Sequence, residues 1–407
     1  MKKNVILLTI DSLRKDVLGC YGNEIGLTPF IDSVQERSIR FINAQSTGPY
    51  TQASFPGILT SSYYLDFGYS KEKKFNPNRV LISEPLQKAG IITAGFHSNA
   101  YLCAYFGWNR GWDTFYDSME ADVTNKVPYI EASVLNDRIR NWLSVQKGKE
   151  KSFFLWAHYM DVHEPYIPER KYMVLVDPSI DMTEHEMFAL FKNILLKRDV
   201  INKDTVEILK KLYLAGVRKI DDSVKEFFDI LQELDLLNDS VVIITSDHGD
   251  EFGEHGGLSH DGKMYSELVD VPLIVFDTTL TEGKVCDKVV STLDIPPTVM
   301  KIFGLDSPNK FQGRSLLLIE DYPIQGVYGE SIDKYGEREK GDEKPVYFYR
   351  EDDLKIIYHE ANDAWEMYDL KNDPGEKNNI VNASSAAEEL KKKLKPRMGR
   401  WEAQQKV

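Results

Sequence analysis

VVIITSDHGDEFGEHGGLSHDGK, residues 241–263, joins a short apolar run directly to a dense group of metal-ligand side chains. Val241, Val242, Ile243 and Ile244 are all β-branched, the pattern of a strand covered on both faces in a parallel sheet. Asp247 and His248 follow at once. On a continuing strand their side chains would face opposite ways, but at a strand end Gly249 lets the backbone curl so that both reach one ion. Open α/β sheets place their sites at that edge. A solvated polar loop is the bland alternative, and the convergence of ligand-type residues weighs against it.

Working outward, the 407-residue chain is long enough to bury a large core and predicts one big domain with a smaller appendage. A net charge of -14 argues against nucleic acid or an anionic membrane as the main partner, while leaving room for a small positive pocket that takes an anionic substrate. Cys20, Cys103 and Cys286 are far apart and lack zinc or redox spacing, which predicts reduced thiols and a cytoplasmic protein. Residues 1–10 carry two lysines and an apolar run but meet Asp11 too early for a signal peptide. No segment is long and apolar enough to span a membrane.

Residues 4–10, NVILLTI, read as a first buried strand ending in Asp11, which is either a metal ligand or the N-cap of a following helix. Pro29 marks the start of a helix with Phe30, Ile31 and Val34 inward. In residues 41–61, Gly48-Pro49 breaks the chain, and Thr51, Gln52 and Ser54 stand where a helix begins. A hydroxyl there faces oriented N–H groups that suit an oxyanion. Thr51 is therefore a nucleophile or an N-cap, and spacing alone favours the cap.

Residues 80–89 predict a helix and 91–96 a strand that delivers His97, Ser98 and Asn99. Residues 151–157 repeat the arrangement and open into His158, Asp161 and His163, in a chain with only eight histidines. At least one of the two histidines is expected to be structural. Residues 187–237 are helical by period, with a break near Asn202, and Asp221-Asp222 reads as a solvated face. Residues 271–276 form another strand, and Asp294 to Thr298 start a helix that runs to Phe303. Alternating runs at 327–330, 346–350, 354–360 and 365–370, divided by turns at Gly341-Asp342 and Asn362-Asp363, predict a small antiparallel sheet. A charged helix over 385–401 closes the chain through Leu390, Leu394 and Met398. The fold class is α/β: a sandwich over residues 1–320 with an α+β subdomain over 321–407.

These residues together resemble the sulfatase family within the alkaline phosphatase superfamily, and the resemblance covers nearly the whole chain. Residues 4–22 look like its opening strand, metal Asp and CYG segment, and residues 28–32 like its TPNLD-type helix. His163-Glu164-Pro165-Tyr166 matches HxPY, and residues 246–256 with Lys263 match SDHGxxxGEHG followed by lysine. VPLI at 271–274 and the EMYDL, DPGE and NN segments within 366–379 complete the series. The resemblance implies an alkaline-phosphatase-like α/β/α sandwich.

Departures from the family pattern bear on function. Sulfatases oxidise a Cys or Ser to formylglycine within Cys/Ser-x-Pro/Ala-x-Arg, and the corresponding residue here is Thr51, with no arginine following. Oxidised threonine would be a ketone rather than an aldehyde. Ser54 has Pro56 in register, but Ile58 stands at the arginine position. The tandem Asp-Asp is reduced to Asp11-Ser12, and His248 stands where many sulfatases have asparagine.

Such changes look like the threonine-nucleophile branches of the superfamily: nucleotide pyrophosphatase/phosphodiesterases, lipoteichoic acid synthases and phosphonate monoester hydrolase relatives. The resemblance implies a metal held by Asp11, Thr51, Asp247 and His248, with Mn²⁺ or Zn²⁺ favoured by this donor set and Mg²⁺ or Ca²⁺ admitted. Thr51, His163, Lys263 and His97 are the catalytic candidates, and Asn99, His260 and Arg14 the substrate-binding ones. His260 with Asp161 and His163 is the candidate set for a second metal. The expected reaction is hydrolysis of a small anionic ester, a phosphate diester or phosphonate monoester, with sulfate-ester hydrolysis, phosphoryl transfer and silent anion binding as rivals. Residues 166–204 are expected to set specificity and carry no readable motif.

Overall fold

The apolar runs become the middle of an eight-stranded sheet. The computed structural model describes residues 4–67, 74–117, 129–196, 202–321, 325–332 and 344–399. In chain order the strands are β1 (Asn4–Ile10), β2 (Ser38–Gln45), β3 (Ile92–His97), β4 (Thr114–Tyr116), β5 (Phe153–Tyr159) and β6 (Ser240–Ser246). A short hairpin, β7 (Glu251–Phe252) and β8 (Leu258–Ser259), precedes β9 (Leu273–Asp277) and β10 (Lys284–Ser291). The spatial order is β10-β2-β9-β6-β1-β5-β3-β4. All pairings are parallel except those of β9, which runs antiparallel to both β6 and β2.

Continuous apolar strands reflect burial on both faces. Ile6, Leu8, Ile10, Leu155, Ala157, Val242 and Ile244 point into one core, under the helices Ala132–Gln146 and Lys203–Glu233. Their neighbours Val5, Leu7, Phe154, Trp156, Val241 and Ile243 point into the other, under Thr51–Thr60 and Ile295–Ile302. Two-residue alternation thus feeds two cores from three strands, which is the α/β/α sandwich. Each large apolar side chain so buried contributes about 1.5–3 kcal/mol.

Three strands of the large sheet gave no sequence signal. β2 is only part-buried along its length, β4 is three residues long, and β10 is an edge strand whose pairing shifts register between Cys286 and Val289. The long helix does break where expected: Asn202 caps Lys203–Glu233, its side chain accepting from Thr205 N at 2.8 Å. Asp221 corrects the reading of a solvated face. Its carboxylate accepts from Phe30 N (3.0 Å) and Ile31 N (2.8 Å), taking two free N–H groups at the start of helix Pro29–Val34. Burial pushes that carboxyl up to about 6. Asp222 remains at the surface beside Arg218.

Beyond the large sheet, β11 (Val327–Ile332), β12 (Pro345–Glu351), β13 (Leu354–His359) and β14 (Ala364–Asp369) form an antiparallel meander. The turn expected at Gly341-Asp342 lies outside the described residues, whereas Asp363 takes a left-handed φ of 52° between β13 and β14. Helix Ala387–Leu394 packs Leu390 and Leu394 against one face of the meander. The other face, through Val346, Phe348 and Ile357, covers Met264, Leu268 and Val269 just after the β8 loop. Among the described residues no helix is long and apolar enough to cross a membrane.

The turn after β6 needs glycine for space. Gly249 is not left-handed, but a Cβ there would lie 2.1 Å from the Glu267 carbonyl oxygen and 2.9 Å from Arg14 Cγ. Gly249→Ala should therefore lower stability by about 1–3 kcal/mol in urea unfolding, while Gly375→Ala, with nothing nearer than 3.9 Å, stays within about 0.5 kcal/mol of wild type. Equal unfolding midpoints for the two variants would contradict this account.

Candidate active site

Parallel register assembles the site. Ile10 is level with Ser246 on one side and Tyr159 on the other, so Asp11 and Asp247 leave adjacent strands at the same edge. Ser12 takes a left-handed φ of 59°, uncommon for a residue with a side chain. That turn aims its N–H at Asp247 Oδ1 (3.2 Å) and the next, Leu13 N–H, at Ser246 Oγ (2.9 Å). The strained residue locks the two strand ends together.

Each carboxylate is held by part of its surface. Asp11 Oδ2 accepts from Asn99 Nδ2 (3.0 Å) and from His158 Nε2 (3.2 Å), and Oδ1 from the Ser12 hydroxyl (3.0 Å). Asp247 Oδ1 also accepts from His248 N (3.0 Å). Asp247 Oδ2 and His248 Nε2 are buried, take no hydrogen bond among the described residues, and lie 3.4 Å apart; Asp11 Oδ1 is 3.6 Å from the same nitrogen. His248 Nδ1 lies 3.0 Å from Gly249 O, so the proton sits on Nδ1 and the Nε2 lone pair points inward.

Two carboxylates at 0 % exposure cannot both stay charged side by side without a cation. Burial and the charge of Asp11 push Asp247 well above the carboxylate range. Burial would raise Asp11 too, but His163, His158 and His248 outweigh it and hold Asp11 below its ordinary value. Burial and the neighbouring His260 push His248 down to about 4. Orphaned oxygen and nitrogen atoms with this donor chemistry fit a divalent ion. Asp11, His158 and Asp247 form one metal-capable group, and His248, Asp250 and His260 a second beside it.

Thr51 is the first residue of helix Thr51–Thr60, whose cap is Tyr50, so Thr51 is not the N-cap. Its hydroxyl lies 3.4 Å from Asn99 Nδ2, the amide that also holds Asp11. Thr51, Asn99, His163 and His260 line one cavity of about 250 Å³. His163 Nδ1 is 2.5 Å from Glu164 O, which leaves its Nε2 as the reactive nitrogen.

Lys263 borders an adjoining cavity and donates to Glu251 Oε2 (2.7 Å) and His255 O (3.1 Å). Three expectations change. His97 is sealed between Trp156 and Phe115, with both ring nitrogens buried, and burial and His158 push it down to about 3. Arg14 is spent on Asp16, Glu254 and the Asp250 carbonyl. Asp161 does not join His260: its Oδ2 accepts from Ala132 N (2.8 Å), and its Oδ1 lies 3.3 Å from Lys219 Nζ.

Of the two histidines read together, His158 is the structural one expected, whereas Asp250 escaped sequence reasoning. His158 orients Asp11, with its other nitrogen 2.9 Å from Thr9 Oγ1. Asp250 supplies His260 with the partner expected of Asp161: Nδ1 to Oδ1 is 2.8 Å, and Tyr166 donates to Oδ2 at 2.7 Å. Its two-residue spacing from His248 was the available signal, since alternate residues of extended chain share a face.

A parallel-rich sheet carrying a buried carboxylate and imidazole cluster beside a helix-terminal hydroxyl defines a hydrolase of anionic esters with an alkaline-phosphatase-like fold. The chain belongs to the sulfatase family, whose profile, described as Sulfatase, matches residues 3–305; that of the N-sulphoglucosamine sulphohydrolase C-terminal part matches residues 253–404. An arylsulfatase of Clostridium perfringens is 26% identical, covering 96% of this chain and 92% of that protein. A solved protein in complex with its substrate D-glucosamine-2-N,6-O-disulfate aligns with a TM-score of 0.81 at 21% identity over 99% of both chains. The phosphonate monoester hydrolase of Agrobacterium radiobacter aligns at 0.77, with 17% identity over 99% of this chain and 96% of that one.

The Asp250–His260 pair gives a pH signature. Burial would lower His260, but the hydrogen bond and charge of Asp250 raise it from 6.5 to about 9. Its folded value exceeds the unfolded one, so the stabilisation is complete below about pH 6.5 and is lost as pH rises through about 9. Metal-free wild type should lose on the order of 2 kcal/mol of urea-unfolding free energy across that window, and Asp250→Asn should flatten the loss. An unchanged slope in the variant would refute the assignment.

Proposed function

We propose that this sulfatase-family hydrolase cleaves phosphate diesters or phosphonate monoesters with Thr51 as nucleophile. The observation that carries the reading is the placement of Thr51. Its hydroxyl stands at a helix start, 3.4 Å from the amide that holds Asp11, in a cavity that also contains His163 and His260. Threonine there has no route to an aldehyde, so the hydroxyl itself must act.

Asp11, Asp247 and His248 with Thr51 would hold a divalent ion, Mn²⁺ or Zn²⁺ for preference, which when bound lowers the pKa of a hydroxyl and carries charge on a phosphoryl oxygen. The chain's own residues do the rest. Thr51 Oγ1 attacks phosphorus and the bond to the leaving oxygen breaks. His163 Nε2 takes the threonine proton, and His260, charged through Asp250, donates its Nε2–H to the departing oxygen. Water then displaces Thr51 from phosphorus, giving a proton to His260 and restoring its charge, while His163 returns its proton to the Thr51 oxygen. Asn99 keeps Thr51 and Asp11 in fixed relation.

A second reading, sulfate-ester hydrolysis by unmodified Thr51, is favoured by the names of the relatives, the arylsulfatase among them. One experiment separates the two. Nitrophenyl phosphate diester, phosphonate and sulfate are offered to metal-stripped protein with Mn²⁺, Zn²⁺, Mg²⁺ or Ca²⁺ restored singly. Metal-dependent diester or phosphonate cleavage should lead, and Thr51→Ala should cut kcat/KM on the order of 10³-fold with the fold intact. Sulfate in front would establish the second reading; full activity in Thr51→Ala would overturn both.

A further inference from the structure

Beside the Thr51 cavity lies another, of about 370 Å³, and His260 lines both. One side of it is apolar, Tyr166, Phe191, Leu209 and Phe252, and the other carries His260, Asp261, Lys263 and Glu164. Tyr166 stands 5.7 Å from Phe252 and 6.4 Å from Phe191 between ring centroids, and its hydroxyl is fixed on Asp250 Oδ2. Phe191 comes from helix Glu184–Leu196, inside the segment that carries no motif. Such a wall takes carbon rather than charge.

The polar side of the cavity holds one unmatched group. Glu164 lines it, and its Oε2 is buried with no hydrogen-bond donor among the described residues. The cations nearby hydrogen-bond to other carboxylates, Lys263 to Glu251 Oε2 at 2.7 Å and His260 through Nδ1 to Asp250 Oδ1 at 2.8 Å, so Glu164 meets His260 through charge alone. A buried carboxylate oxygen without a donor is costly, and a ligand that brings a cationic donor removes the cost. Aromatic faces around that donor add attraction for a cation.

We propose that this cavity seats the organic group of the ester, and that the group is an aromatic or branched aliphatic body ending in an ammonium that meets Glu164. The inference rests on reading the Thr51 cavity as the place where the ester is cleaved. It makes the substrate zwitterionic: an anionic head at Thr51 and a cationic tail past His260.

Binding rather than turnover tests it, because leaving-group reactivity then plays no part. Mn²⁺-loaded full-length protein is titrated with 4-(aminomethyl)phenylphosphonate, 4-methylphenylphosphonate and inorganic phosphate, and with the sulfonate pair of the same two aryl groups. The amine should bind about tenfold tighter than its methyl counterpart. Glu164→Gln should erase that preference and leave phosphate affinity unchanged, and Phe191→Ala should weaken both aryl ligands about fivefold relative to phosphate. Equal affinities of amine and methyl ligands for wild type, or a preference that survives Glu164→Gln, would overturn the assignment. If the preference holds while the nitrophenyl panel is not turned over, the seat stands and the ester-cleaving reading falls.

Discussion

Two carboxylates with no access to water, Asp11 and Asp247, are forced together by parallel strand register, and the rest of the site answers that constraint. Left alone they repel, and burial makes the repulsion expensive. The chain surrounds them with compensation: the Ser12 N–H and hydroxyl, the His248 N–H, the Asn99 amide and the His158 ring. What remains uncompensated, Asp247 Oδ2 and His248 Nε2, faces one point. Stability and chemistry are therefore the same problem here: the arrangement that most needs a cation is the one best placed to use it.

The histidines of the site divide the labour by their second nitrogens. His158 is tied at both ends, to Thr9 and Asp11, and serves as a strut. His163 and His248 each spend Nδ1 on a backbone carbonyl, leaving Nε2 of His163 for the cavity and Nε2 of His248 for the carboxylates. His260 spends Nδ1 on a carboxylate instead, and so holds a positive charge where the others do not need one. A net charge of -14 and an anion-binding pocket are compatible because the cation is created locally, by Asp250.

Legibility followed how local each signal was. β1 and β6 were readable because a strand buried on both faces is apolar without interruption, and Asp11, Asp247 and His248 came with them as strand-end residues. The meander was readable from its period of two. β2 and β10 were not, since part-burial mixes polar and apolar positions. His97, Asp161 and Asp221 were misjudged for one shared reason, that their surroundings come from distant chain, whereas Arg14 is held partly by its near neighbour Asp16. Asp161 meets Ala132 and Lys219, Asp221 meets Phe30 and Ile31, and His97 meets Trp156. Nothing near a residue in sequence says what lies across a core from it.

Glu376 touches no residue of the Thr51 cavity, yet it anchors the stretch that follows the β8 loop. Its carboxylate pairs with the buried Lys355 of β13 and accepts the Ser266 N–H, and its carbonyl meets the His255 ring. Ser12 already reaches across 235 residues to Asp247, and Ser266 across another 110 to Glu376. A chain emerging from the ribosome therefore carries Asp11 long before the frame that positions His260 and Lys263 exists. The cluster around Asp11 and Asp247 is therefore framed only once nearly all of the chain is in place.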